Sequence, residues 1–193
     1  MLRGRRVVLR PLVASDFPAY SEVRQRNGAW LTKWEPRRVA GQADPAASYD
    51  AFVRRCNERH RERQLGTSFC FGLFAGATFA GEVNLSWVLR GAFQSGHVGY
   101  WVDEACAGNS YCPEAVVVIA RYAFEDLLLH RLQISIIPRN HASRRVVEKL
   151  GLRNEGVAVG YLQIDGGWED HIRYAITAEE WAARAGDLAR QWL

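Results

Sequence analysis

Lysine is nearly absent from this sequence: of 25 basic residues set against 21 acidic ones, only Lys33 and Lys149 are lysine and the rest are arginine. The skew reflects coding bias rather than a functional surface. The arginines are scattered, not gathered into a stripe with interleaved aromatics, which argues against direct nucleic-acid binding. A net charge of +4 suits a polyanionic cofactor or an acidic surface.

Apolar runs are short as well. The basic opening Met1-Leu-Arg-Gly-Arg-Arg leads only into Val7-Val8-Leu9 before Arg10-Pro11. That is far short of a signal-peptide core or a membrane span of about 20 residues. A cytoplasmic location with no membrane partner is expected. Cysteine is scarce and unpatterned: Cys56, Cys70, Cys106 and Cys112 form no C-x-x-C pair, and the five histidines stand at no ligand spacing to them. Neither a metal site nor a disulfide framework is expected, and the thiols read as reduced. Internal repeats and low-complexity linkers are missing too. With 193 residues, 48% of them hydrophobic, one domain over 1–193 is expected.

Local patterns supply the element order. Val7 to Leu12 reads as a strand, and Ser15-Asp16 can cap a helix over Phe17 to Arg26. Asn27-Gly28 breaks that helix, Trp30 to Pro36 forms an aromatic loop, Arg37 to Pro45 reads as a mobile loop, and Ala46 to Gln64 regains helical spacing. Three β-rich runs, Ser68 to Phe74, Phe79 to Leu89 and His97 to Val102, alternate with Gly-containing turns and predict an antiparallel meander. Pro113 to Leu129 is the longest apolar helical pattern and leads into a buried strand, Leu132 to Ile137. Asn140 can cap a helix through Lys149, Gly151 can end it, and Val157 to Ile164 pairs with Trp168 to Ile176 across Asp165-Gly166-Gly167. This is an α+β (mixed α/β) order, not a repeated β-α wind.

Three segments carry a family resemblance. Gly99-Tyr100-Trp101-Val102 followed by Ala107-Gly108-Asn109-Ser110-Tyr111-Cys112-Pro113-Glu114-Ala115 is similar to a strand and pyrophosphate loop of the GNAT superfamily. The segment from Pro138 to Gly156, with Asn140 and Ser143, resembles that family's N-x-x-S helix and the G-F-x-x-E-G that follows it. Trp34-Glu35-Pro36, Arg90-Gly91-Ala92-Phe93 and Gly160 to His171 resemble the RimJ branch in particular. The loop departs from the usual Q/R-x-x-G-x-G/A at Ala107, Ser110 and Cys112.

The resemblance implies the GNAT fold, a central, mostly antiparallel sheet with splayed middle strands flanked by helices, and acetyl-CoA as cosubstrate with no metal. It places the cofactor on Trp101, Val102, Gly108, Asn109, Ser110, Tyr111, Cys112, Asn140 and Ser143. Free N–H groups and the positive end of a helix dipole are what a diphosphate needs. Asn140 inherits the pantetheine side and Ser143 a place near the thioester sulfur, as the acid that protonates the thiolate. The oxyanion is expected on a backbone N–H of Gly99 to Val102. Glu35 is the candidate for gripping or deprotonating the amine, with Glu82, Glu155 and Tyr161 as rivals; Trp30, Trp34, Glu35 and Tyr161 are the candidate acceptor residues.

The implied reaction is acetyl transfer to a protein N-terminal α-amine, as in RimJ enzymes, which act on the N-terminal alanine of a small-subunit ribosomal protein. Two alternatives stand beside it: a small-molecule amine acetyltransferase, and a catalytically degenerate domain that binds CoA or a protein partner. A cysteine nucleophile is disfavoured because none of the four has a neighbouring base. The acceptor, the base and the oligomeric state depend on loops that sequence does not fix.

Overall fold

Pro11 follows Arg10 and has no N–H to give a ladder, so the first long strand stops there and the chain turns into helix. The computed structural model describes residues 1–39 and 41–193. Strands β1 (Leu2–Arg3) and β2 (Val7–Arg10) open the chain, followed by helices α1 (Phe17–Arg26), α2 (Gly28–Leu31) and α3 (Tyr49–Gln64). Next come strands β3 (Phe69–Ala75), β4 (Thr78–Leu89) and β5 (Ser95–Val102), then helix α4 (Tyr111–Arg121). Strand β6 (Arg131–Ile136), helix α5 (His141–Lys149), strands β7 (Arg153–Ile164) and β8 (Gly167–Thr177), and helix α6 (Ala178–Trp192) complete it.

Among the described residues the strands form one sheet in the order β1-β2-β3-β4-β5-β6-β8-β7. All neighbours are antiparallel except β5 and β6, whose parallel pairing is limited to Ser95↔Arg131, Gly96↔Leu132 and His97↔Gln133. The expected mostly antiparallel sheet with splayed middle strands is therefore present. Residues Cys112 to Ala120 of α4 are buried on every side, as a helix sandwiched in a core should be. With α6 they form the main core over β2 to β6 and β8. A second cluster of Tyr20, Val23, Phe52, Phe74 and Phe79 seats α1 and α3 on the sheet.

Several boundaries depart from expectation. The aromatic stretch is partly helical, with α2 running into a 3-10 turn at Thr32–Trp34. Helix α3 starts at Tyr49, not Ala46, because Ser48 takes the cap and accepts from the Ala51 N–H at 3.3 Å. The α-helix of α4 ends at Arg121, where the chain widens into a π-helical turn over Tyr122–Asp126 that places Phe124 against the Trp181 ring at 5.7 Å. The hairpin turn is two residues long, Asp165 (φ 47°) and Gly166 (φ 87°), so Gly167 is already strand; positive φ at both positions matches the twist of the flanking strands. The loop expected over Arg37 to Pro45 contains Ala40, which lies outside the described residues.

Helix α6 was not expected, although its start is written in the sequence. Thr177 and Glu180 make a reciprocal capping box, the Glu180 carboxylate accepting from the Thr177 N–H at 2.8 Å. The helix buries Trp181, Leu188 and Trp192 against the core. Thr177→Ala is expected to cost about 1 kcal/mol of stability, read as a lower denaturant midpoint at unchanged slope.

Candidate active site

The splay leaves β5 running on from Val98 to Val102 with no strand partner on its β6 side among the described residues. At the end of β5 the buried carboxylate of Asp103 fixes the next turn. It accepts from Asn27 Nδ2 at 2.8 Å and the Ala105 N–H at 3.2 Å, and is paired with Arg26. Burial alone would raise the Asp103 pKa, but these partners outweigh it and hold the carboxyl below its ordinary range. Asn27 also accepts from the Glu104 N–H at 2.9 Å, so the end of α1 and the turn after β5 are one unit.

The next turn exposes a run of donors. Gly108 (φ 81°) and Ser110 (φ 61°) are both left-handed, and α4 begins at Tyr111. Among the described residues, the N–H groups of Gly108 through Cys112 donate to nothing else in the chain. Serine at a left-handed position costs roughly 1–2 kcal/mol, yet the turn is kept, so Ser110 preserves the geometry the family obtains with glycine. Its hydroxyl accepts from Lys149 Nζ at 3.2 Å, which brings one of the only two lysines to the mouth of this donor cluster. Glu114 anchors the helix start by accepting from the Val7 N–H and from Arg6 Nε, both at 3.0 Å.

On α5, Asn140 caps the helix, its side-chain oxygen accepting from the Ser143 N–H at 3.1 Å. Its amide N–H₂ stays uncommitted within the chain among the described residues. The Ser143 hydroxyl lies 3.0 Å from the Tyr100 hydroxyl, which also donates to the Ser143 carbonyl at 3.1 Å. Burial drives the Tyr100 phenol far above its ordinary pKa, against the smaller opposing effect of Ser143, so it remains a neutral donor. Cys112 sits in the core of α4 with its thiol pushed up to about 12 by burial. Burial likewise raises Cys56, Cys70 and Cys106, which leaves no thiol activated as a nucleophile.

The remaining candidates lie on the α2 segment and on β7. Trp30 Nε1 donates to the Val102 carbonyl at 3.2 Å. Trp34 is flanked by Lys33 at 5.3 Å and Arg139 at 5.0 Å from its ring centre. Glu35 takes both arms of Arg24 at 2.8 and 2.7 Å, and Arg24 lies 5.0 Å over Trp101. The Glu35 carbonyl accepts from the Asp165 N–H at 3.0 Å, tying the aromatic segment to the β7–β8 turn. Tyr161, on β7, packs edge-on against His171 at 5.6 Å. A Cβ built on Gly99 would meet nothing within 4 Å, so the strand is open above its backbone there.

The two rival carboxylates are committed elsewhere. Glu82 is buried against Arg55 at 2.7 Å and accepts from Trp101 Nε1 at 3.0 Å; burial would raise its pKa, but Arg55 and Trp101 bring it down. Glu155 is held down to about 2, chiefly by Arg131 and also by Arg153.

An Acetyltransferase (GNAT) domain model matches residues 6–153. The chain belongs to the GNAT acetyltransferase family. The probable N-acetyltransferase YjcK of Bacillus subtilis is 33% identical over 178 residues, covering 91% of this chain and 96% of that protein. The [ribosomal protein uS5]-alanine N-acetyltransferase of Escherichia coli is 32% identical over 91% of this chain and 90% of its own. The structure of Mycobacterium smegmatis RimJ in complex with CoA-disulfide superposes with a TM-score of 0.82 at 29% identity, over 93% of this chain and 89% of that one. A ribosomal-protein-S5-alanine acetyltransferase from Vibrio fischeri also gives 0.82, at 30% identity over 92% and 96%.

This GNAT chain is accordingly an acetyl-CoA-dependent N-acetyltransferase. Among the described residues no group of His, Cys, Asp and Glu could hold a metal ion, and no helix is long and apolar enough to cross a membrane. Sequence reading missed Tyr100 and Lys149. The first lay inside a quoted motif but was read only as strand; the second is brought to the loop by α5 from 39 positions away. Arg24 and Arg139 were missed for the same reason.

The Tyr100–Ser143 contact generates a test. Tyr100→Phe is expected to lower kcat several-fold with the KM for acetyl-CoA little changed, and adding Ser143→Ala should then cost no more than Ser143→Ala alone. Steady-state kinetics on the two single variants and the double variant measure the coupling.

Proposed function

We propose that this chain, acting as one GNAT domain over 1–193, acetylates the α-amine of a protein N-terminus, a small-subunit ribosomal protein with a small first residue being the leading class. The observation that carries the choice of amine is that each candidate carboxylate is tied up in an ion pair: Glu35 with Arg24, Glu82 with Arg55, and Glu155 with Arg131. An α-amine with a pKa of about 7.7–8.0 costs only about 1 kcal/mol to deprotonate at neutral pH, whereas lysine near 10.4 costs about 5. A site without a free strong base suits the first. The similarity to uS5-alanine N-acetyltransferases, over nine-tenths of both chains, supports the same acceptor.

In this reading the N–H groups of Gly108 to Cys112, with Lys149 beside them, hold the diphosphate of acetyl-CoA. Asn140 offers its amide N–H₂ to the pantetheine, and Trp101 and Val102 supply the strand against which it lies. The neutral amine attacks the thioester carbonyl directly, a backbone N–H of the Gly99 to Val102 strand steadies the oxyanion, and the C–S bond breaks. The sulfur takes a proton from Ser143, whose hydroxyl Tyr100 orients, and the amine's surplus proton passes through water back to the Ser143 oxygen, so that one proton moves from nitrogen to sulfur overall. Trp30, Trp34 and Tyr161 line the acceptor's approach.

Ser143→Ala should lower kcat by roughly tenfold or more while acetyl-CoA affinity stays nearly constant, because a thiolate donor acts mainly as the leaving group gains charge. Loss of affinity at unchanged turnover would make Ser143 a cofactor-binding residue only. The acceptor is tested with two peptides of identical sequence, one with a free Ala N-terminus and blocked lysine, the other with the reverse blocking. Faster acetylation of the first is expected. Faster acetylation of the second overturns the assignment, and turnover of neither moves a small-molecule amine to first place.

A further inference from the structure

Away from the acyl-donor site, the sheet has an unpaired edge. β2 leaves β3 at the Arg10↔Gly72 pair, so the earlier part of β3, Phe69 to Phe71, has no neighbour on that side. Helix α3 closes over this edge and leaves a cavity of about 250 Å³. At about 30 Å³ per water this is the room of roughly eight waters, enough for a small organic molecule. None of the loops assigned above to acetyl-CoA contributes to its lining.

Its charge is unbalanced. Arg55, Arg59 and Arg63, one turn apart along α3, all line it. Arg55 is neutralised by Glu82, which accepts both of its contacts at 2.7 and 2.8 Å. Among the described residues neither Arg59 nor Arg63 donates a hydrogen bond to a carboxylate. Arg59 points to the Cys70 thiol, and its nearest carboxylate is Glu62 at 3.7 Å, too long for a hydrogen bond. Arg63 donates to the Cys70 carbonyl at 3.0 Å and lies 4.4 Å over the Phe71 ring, with no ion pair among the described residues. Burial lowers its pKa, the mark of a cation removed from water without an anion to replace it. Leu12 and Val53 add apolar side chains to its lining.

We propose that this cavity is a second binding site, for a small organic anion whose carboxylate or phosphate head pairs with Arg59 and Arg63 and whose apolar body rests on Leu12, Val53 and Phe71. Two guanidinium forks one helical turn apart fit the oxygens of a single oxyanion. The site is independent of the acceptor assigned above, since it shares no residue with the proposed acceptor walls.

Titration calorimetry on the full chain tests it with three probes at matched ionic strength: benzoate, phenyl phosphate and the neutral isostere benzamide. One-site binding of benzoate or phenyl phosphate at millimolar Kd or tighter is expected, with the tighter probe identifying the head group, and benzamide at least about tenfold weaker. Arg63→Gln should weaken the anion about tenfold or more while acetyl-CoA affinity stays within about twofold. Arg59→Gln, measured in the same way, decides the matter if Arg63→Gln does not fold. No saturable binding of either anion, benzamide binding as well as they do, or undiminished affinity in the folded variants would overturn the proposal.

Discussion

After His97 and Gln133 the two parallel strands at the centre of the sheet stop pairing, and most of what this enzyme can do depends on that separation. A central strand normally spends its backbone donors and acceptors on both neighbours, because leaving them buried and unpaired is costly. Here β5 is satisfied by β4 alone over its second half, which leaves one edge available to a substrate. The separation has to be held open from outside. Asp103 does this at one end by binding the last turn of α1, and the Tyr100–Ser143 contact does it across the gap by fixing α5 to β5.

The same economy governs the ion pairs. Glu82 lies buried on β4, paired with Trp101 of β5, and stays charged because Arg55 and the Trp101 indole N–H surround it. Removing Arg55 would leave a buried carboxylate without its counter-ion, which typically costs about 3–5 kcal/mol. Such a group holds Trp101 in place better than it accepts a proton. Glu35 is similar: paired to Arg24 by its side chain and to the β7–β8 turn by its carbonyl, it joins the aromatic segment to the opposite wall.

The sequence made the core elements legible wherever a segment's own pattern decides its structure. The meander from β3 to β5 and the capped helix after Asn140 are of this kind, whereas the donor-rich turn before α4 came from the family resemblance. What escaped was set by packing or by distant contacts. The α-helical spacing continues past Arg121, but the chain widens there and Phe124 faces Trp181, a partner that no local pattern announces. Helix α6 is the exception, since Thr177 and Glu180 signal it locally. At the candidate site, Asn140 and Ser143 came from the resemblance of the Pro138 to Gly156 segment. Lys149, Arg24 and Arg139 were not legible, because their partners lie on other elements.

Ser110 joins these threads. It is one of the departures from the family's loop motif, at a position where glycine is the residue that tolerates a left-handed turn. In the structure the serine adopts that turn all the same, with φ at 61°. Its cost of roughly 1–2 kcal/mol is small beside the packing of a helix buried from Cys112 to Ala120 and the Glu114 contacts to Arg6 and Val7 that set its first turn. The tertiary frame therefore imposes the backbone and the side chain follows. What serine adds, and glycine could not, is a hydroxyl that fixes Lys149 at the loop, so the altered motif keeps its N–H groups and gains a positioned cation beside them.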